Sequence, residues 1–217
     1  DADDLLYLDS LAALSTLLDM HPEFGLVAGG LDLVDENGRR LGTQRPWLHH
    51  PRVTMEMLTI GGLSGPTGVM LRRSWFDEVG GFDTSITHVE DVDFWWRLLQ
   101  AGCQMTWLHR PVGSYRIHQG SLSRSFILHH EKRIALLDRH LSTGVLPQSI
   151  VAQRPIVVAR MTVAMAGRLF GAGDTAAGIS ALQEAVDLDP ALRTPDAMAE
   201  AIANWRHDPR VADRDCV

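Results

Sequence analysis

The segment THVEDVDFWWRLLQAG, residues 87–102, constrains the fold more than any other stretch of the chain. It concentrates Phe94, Trp95, Trp96, Leu98 and Leu99 directly behind two adjacent carboxylates, Glu90 and Asp91. The pattern reads as a helix from Glu90 to Ala101 with a buried stripe through Phe94, Trp95 and Leu98. Asp91 heads that stripe. An isolated carboxylate in a core is costly, so its expected place is the rim of a pocket. Partial desolvation there raises a carboxylate's pKa, which suits a general base taking a proton from a hydroxyl. Asp93, Arg97 and Gln100 share another face, and Asp93 with Arg97 is expected as a solvent-exposed pair four residues apart. A plainer explanation of the acids is that first-turn carboxylates complement the helix dipole, a stabilisation of about 0.3–1 kcal/mol. The rest of the chain has to decide between the two.

With 217 residues, 45% of them hydrophobic, the chain can bury roughly 70% of its unfolded surface, enough for one good core and a helical appendage. The formal charge of -7 and the absence of a basic cluster argue against a nucleic-acid partner. The two cysteines, Cys103 and Cys216, lie far apart and form no disulfide framework, which fits a reducing, cytoplasmic setting. No run reaches the roughly 20 apolar residues of a membrane span; PIVVARMTVAMAGRLF is interrupted by Arg160 and Arg168. Peripheral contact with a membrane stays open. The chain begins with Asp, and DADDLLYL has neither the charge nor the apolar core of a signal peptide, so the expectation is a fragment of a longer protein.

Along the chain, Leu8, Leu11, Leu14 and Leu18 predict a helix over residues 5–20, ended by Pro22 and Gly25. A strand follows from about Leu26, with Asn37-Gly38 as a hairpin turn. Residues 43–65 are rich in turn formers, and TGVMLRR suits a short buried strand. A helix from Trp75 to Val79 is closed by Gly80-Gly81. Two strands are expected near 104–108 and 112–118, then helices over roughly 126–142, 150–170, 175–188 and 195–205. In the last part, Gly173-Asp174 make a turn, and Leu182, Ala185 and Pro190 resemble the second half of a tetratricopeptide repeat. A single partial repeat makes no solenoid, so a helical hairpin is the simpler reading.

Two further clusters bear on chemistry. DADD at residues 1–4 places carboxylates at alternating positions, able to share a hard divalent cation such as Mg2+ or Mn2+, or else to serve as a helix cap. In SYRIHQGSLSR, residues 114–124, a strand would turn Ser114, Arg116 and His118 to one side. There a guanidinium can neutralise a diphosphate and an imidazole can complete a metal site.

In this order the pieces DADD, VGGFDTSITHVEDVDFWWRLLQAG and YRIHQGSLSR resemble the second half of family-two glycosyltransferases of the GT-A fold. The likeness covers about residues 1–125. It implies a partial GT-A, Rossmann-like α/β body over 1–125, lacking the nucleotide-binding strands that open family members, and an α-helical extension over 126–217. On this resemblance, Asp1 and Asp3 are the Asp-x-Asp pair, Asp3 the likelier direct ligand of Mn2+ or Mg2+ and Asp4 a spare, with His118 approaching the metal and diphosphate. Asp91 is the general base and Glu90 its neighbour orienting acceptor or base. Arg116, Ser121, Ser123 and Arg124 would contact the leaving diphosphate, while Trp95 or Trp96 would offer a flat face to an acceptor sugar. The implied reaction is one-step inverting transfer from a nucleotide-diphosphate sugar to a hydroxyl of a saccharide, lipid-linked or protein acceptor. Without the upstream strands, the 217-residue chain alone is expected to bind donor poorly and turn over little.

Two rivals remain at this level. One is a non-catalytic interaction protein whose helical tail binds a partner and whose acidic pairs are caps. The other is a metal-dependent phosphohydrolase using DADD; those enzymes usually carry their aspartate nucleophile at the end of an apolar strand, and DADD opens the sequence with nothing before residue 1 to inspect. The pairs His49-His50 and His129-His130 lack the spacing of a closed zinc site.

Overall fold

In a computed structural model of the chain, the apolar run Phe24–Val34 forms a strand, β2, at the centre of a mixed sheet. The structure describes residues 2–60, 63, 65–117, 126–142 and 148–206. These fall into two compact units, Asp1–Leu58 with Gly62–Ser121, and Thr59–Gly61 with Leu122–Val217. The protein is mixed α/β, and its sheet combines parallel and antiparallel pairs.

In the first unit β2 is buried along almost its whole length, as a strand covered on both faces must be. One edge pairs in parallel with β5 (Gln104–Arg116), from Phe24 opposite Gln104 to Val34 opposite Arg116. The other edge is shared by two short antiparallel strands. β3 (Arg40–Gln44) pairs with Leu31–Val34, and β4 (Val69–Leu71) pairs with Leu26–Ala28. Gly38, at φ 80°, supplies the positive angle that the β2–β3 turn needs. The two strands expected near 104–108 and 112–118 are one strand with an irregular register between Leu108 and Pro111. Pro111 has no amide proton for the ladder, and the local slip absorbs that loss.

The helix expected over 5–20 starts later, as α1 (Ser10–Met20). Leu5–Leu6 form a two-residue strand, β1, antiparallel to Gly113–Ser114 of β5. Of the four leucines at helical spacing, Leu14 and Leu18 are buried, packed with Val27, Leu31 and Val112. Leu8 and Leu11 face solvent. Pairing with a glycine tips the balance for Leu5–Leu6, because a methyl group at Gly113 would lie 2.4 Å from the Leu5 carbonyl oxygen. Gly113→Ala is therefore expected to push β1 off β5 and destabilise the first unit by about 1–3 kcal/mol, read as a lower midpoint in urea denaturation.

Between β4 and β5 lie α3 (Arg73–Val79), closed by Gly80 in the left-handed region at φ 79°, and α4 (Glu90–Gln100). The segment 43–65, read as turn-rich, holds a 3-10 turn at Pro46–Leu48 and a short helix, α2 (Met55–Ile60).

The second unit is helical: α5 (Phe126–Ser142), α6 (Gln148–Ala152), α7 (Arg154–Gly171), α8 (Thr175–Leu188) and α9 (Pro195–Arg206). The single helix expected over 150–170 is split, with Pro155 in the first turn of α7 where its missing amide proton costs nothing. Gly173, at φ 85°, turns the chain between α7 and α8, and the Asp174 side chain accepts the Ala177 amide to cap α8. Small side chains let these helices approach closely. Ala159, Val163, Ala185, Leu192 and Ala201 form one core cluster, and Met165, Ala166, Leu169 and Ala181 another. No helix of the described residues is long and apolar enough to cross a membrane.

Candidate functional site

Where β2 and β5 end together, four separate stretches of chain meet. The Asp4 carboxylate accepts the Arg116 amide at 3.0 Å, a contact across 112 residues of sequence. Its second oxygen accepts the Thr67 hydroxyl at 2.5 Å, from the 3-10 turn Pro66–Gly68 that precedes β4. The Arg116 guanidinium donates from Nε to the Asp3 carbonyl at 3.2 Å. From Nη1 it reaches the carbonyls of Asp35 (3.2 Å) and Glu36 (3.0 Å) in the β2–β3 turn. That turn is itself braced by Asp35, which accepts the amides of Asn37 at 2.9 Å and Arg39 at 2.8 Å. Three backbone carbonyls thus hold the guanidinium plane in place. Its Nη2 protons have no protein partner among the described residues, and an Arg so fixed has two donors left for a planar anion.

This assembly brings together two motifs that sequence reasoning linked only by resemblance, DADD and YRIH. It also divides their roles. Asp4, expected as a spare, has both oxygens engaged by protein groups and ties β1 to β5. Asp3 keeps an exposed side chain on the stretch that Arg116 pins. Asp1, His118, Ser121, Ser123 and Arg124 lie outside the described residues. Among the described residues no group of three or more His, Cys, Asp or Glu side chains is placed to hold a cation.

Beside this assembly, two residues further into the sheet, Asp32 interrupts the apolar run of β2. It accepts hydrogen bonds from the hydroxyls of Tyr7 and Thr43, each 2.5 Å away, and from Arg40 Nε at 3.0 Å. Burial raises the Asp32 pKa, but the bonds from Thr43, Tyr7 and Arg40 outweigh it and hold the carboxyl below its ordinary value. Tyr7 is pushed the other way, up to about 12, by burial and then by its bond to the Asp32 carboxylate. None of this network was foreseen. Its one sequence signal is an acid within LDLV, where the apolar pattern asks for none.

The Tyr7 shift carries a pH dependence. A phenol whose folded pKa lies above its unfolded value of 10 adds stability that is complete below pH 10 and lost as pH rises toward 12. Urea midpoints should therefore fall between pH 10 and 12 in the wild type and fall less in Tyr7→Phe. Equal slopes in the two proteins would remove Tyr7 as the cause.

The acid pair sits where expected, in the first turn of α4. Glu90 is exposed and Asp91 half-buried, and Asp91 Oδ1 accepts the Val92 amide at 2.8 Å, one of the first-turn amides that have no acceptor within the helix. α4 ends three residues before β5 begins, so Gln100 is pinned to the amino end of β5. Glu90 and Asp91 occupy the opposite end of a helix roughly 16 Å long.

Two expectations for this helix are corrected. Trp95 is 4% and Trp96 0% exposed, so neither offers a face to an acceptor; both are core, Trp95 within the expected buried stripe and Trp96 because α4 is buried on nearly every side from Val92 to Trp96. For the same reason Asp93 and Arg97 do not form a solvent-exposed pair. The Asp93 side chain is 3% exposed and accepts Arg97 Nε at 2.7 Å. Arg97 also donates to the carbonyls of Val79 and Gly81, both at 2.7 Å, clamping the end of α3 and the GGF turn onto α4.

A shallow cleft of about 490 Å3 opens at the other, amino end of the β2–β5 pair, lined by Phe24, Arg52, Thr54, Cys103, Gln104 and Thr106 among others. Burial pushes the Cys103 thiol up to about 12, which makes it unreactive at neutral pH. The Asp4–Arg116 assembly, in contrast, lies at the carboxyl ends of the parallel strands, where open α/β sheets bind their ligands. In comparison with known proteins, no family model matches the chain, and no curated protein matches it.

Proposed function

We propose that this chain contributes the metal-binding and acceptor-side part of an inverting, GT-A-type glycosyltransferase. The observation that supports the reading most is the meeting of Asp3, Asp4 and Arg116 at the carboxyl end of β2 and β5. Two short motifs at opposite ends of a 120-residue stretch are of little weight apart; their convergence on one sheet end, with a fixed guanidinium, is what a nucleotide-diphosphate site needs.

In this reading Asp91 takes the proton of an acceptor hydroxyl, and the freed oxygen attacks the anomeric carbon of the donor. The bond to the nucleoside diphosphate breaks on the opposite face, inverting the configuration. Arg116 faces the departing diphosphate with its Nη2 donors. The donor set Asp1, Asp3 and His118, two carboxylates and an imidazole, suits Mn2+ or Mg2+, which would offset the charge growing on the leaving group. Of that set, Asp3 is the residue the structure describes, and its exposed carboxylate fits the role.

The test is calorimetry and turnover with nucleotide sugars in the full polypeptide that carries these residues. Donor binding is expected to require Mn2+ or Mg2+ and to be abolished by EDTA. Asp3→Ala is expected to weaken metal-dependent donor binding at least tenfold, about 1.4 kcal/mol. Chelator-insensitive activity would remove the metal from the mechanism. A complete lack of response to nucleotide sugars would favour the interaction-protein reading, for which the first-turn bond from the Val92 amide to Asp91 Oδ1 is the supporting observation.

A further inference from the structure

The loop leading into α4 bears two costs that the fold does not explain. His88 has φ 74°, the one positive value at a non-glycine residue among those described. Its Nδ1 atom is buried and has no hydrogen-bond partner. Left-handed backbone disfavours any residue with a Cβ, and buried polar atoms are nearly always paired. Glycine would meet the turn more cheaply, as Gly80 and Gly81 do at φ 79° and 72° on the other side of the same loop. What glycine lacks is the imidazole.

The surroundings show how such a residue is held. Val89, 1% exposed, anchors the chain immediately after it, and Arg97 grips the Val79 and Gly81 carbonyls before the loop. Phe82 packs on Phe94 of α4 with ring centroids 4.7 Å apart. Residues 82–87 are therefore bracketed by left-handed positions, and both stems are tied to the helix whose first turn carries Glu90 and Asp91. Strain of this kind clusters at active sites and ligand clamps, held there by the surrounding structure.

We propose that His88 contacts the acceptor beside Asp91: when a saccharide binds, the loop shifts and Nδ1 takes an acceptor hydroxyl as the partner it lacks in the free chain. A hydroxyl both donates and accepts, so it satisfies either tautomer of a neutral imidazole, which an ammonium or a carboxylate would not. This assignment rests on the glycosyltransferase reading above.

The test compares wild type, His88→Gly and His88→Asn in the full polypeptide. The donor probes are UDP-glucose, UDP-N-acetylglucosamine and GDP-mannose; the acceptor probes are methyl glycosides of the same sugars. Nucleoside diphosphate release is followed with and without acceptor, and melting temperatures are recorded. His88→Gly is expected to raise the acceptor KM about tenfold, the loss of one hydrogen bond to a ligand, with acceptor-independent donor hydrolysis unchanged. Its melting temperature should equal or exceed wild type. Asn tolerates the left-handed region and carries a polar side-chain atom near the position of Nδ1, so His88→Asn should stay within about threefold of the wild-type KM. A wild-type KM in His88→Gly overturns the proposal. So does a melting temperature more than about 4 °C lower, which would make the imidazole an element of the fold. If the wild type releases no nucleoside diphosphate from any probe, the glycosyltransferase reading fails and this assignment with it; if it transfers sugar and His88→Gly is indifferent, this assignment alone fails.

Discussion

Asp91→Asn is expected to lower sugar transfer by about 100 to 10,000-fold while leaving donor binding nearly unchanged, because an amide cannot take a proton from the acceptor hydroxyl. In activation free energy that is about 2.7–5.4 kcal/mol. The substitution is chosen to separate chemistry from architecture. Asn retains an oxygen where Asp91 Oδ1 accepts the Val92 amide at 2.8 Å, so the first turn of α4 keeps its bond and the fold should be undisturbed. Asp91→Ala would remove both functions and confuse them. Single-turnover transfer with a nucleotide sugar, alongside calorimetric donor affinity, reads the two quantities independently. Near-normal turnover in Asp91→Asn would reassign the carboxylate to helix capping.

The largest effect on stability is expected from Arg97→Ala. The Asp93 side chain is 3% exposed, and Arg97 Nε lies 2.7 Å from it. Removing the cation takes the Arg97 ion pair away from a buried carboxylate, at a cost of about 3–5 kcal/mol, a fifth or more of the total stability of a typical domain. The Val79 and Gly81 carbonyls lose their shared donor in the same step. For that reason the double variant Asp93→Leu with Arg97→Met, which removes both charges, should recover only part of the loss. Urea denaturation at neutral pH measures it. A shift under 1 kcal/mol for Arg97→Ala would mean that water reaches Asp93 and that α4 is less enclosed than described. The coupling matters for the site, since the same guanidinium holds the loop that returns the chain to His88 and Asp91.

How much of this was legible beforehand differs from residue to residue. The helices at 90–100, 126–142 and 175–188, the Asn37-Gly38 hairpin and the Gly80 cap could all be read from spacing and turn chemistry. The tryptophans could not be assigned between core and platform, because helical periodicity says which residues share a face and not how many faces a helix buries. α4 is covered on nearly all sides, and that depends on what packs around it. Likewise Leu5–Leu6 satisfy a helical pattern yet form a strand, because Gly113, more than a hundred residues away, offers a backbone that can be approached closely.

The same division runs through the candidate site. DADD, the acid pair at the head of α4 and YRIH were visible as chemistry-bearing segments, since residue type and neighbour spacing are local properties. The carbonyl cage around Arg116, the loss of Asp4 to structural bonds, the Asp32 network and the strained His88 were not, for each depends on groups brought together only when the sheet closes. Sequence by itself determined which segments become helices and turns and where the carboxylates stand along them, because those outcomes follow from interactions within a few residues. Tertiary structure alone decided which carboxylates stay exposed, which side chains are sealed in the core and which motifs meet, because burial and hydrogen bonding there are settled between segments up to 113 residues apart.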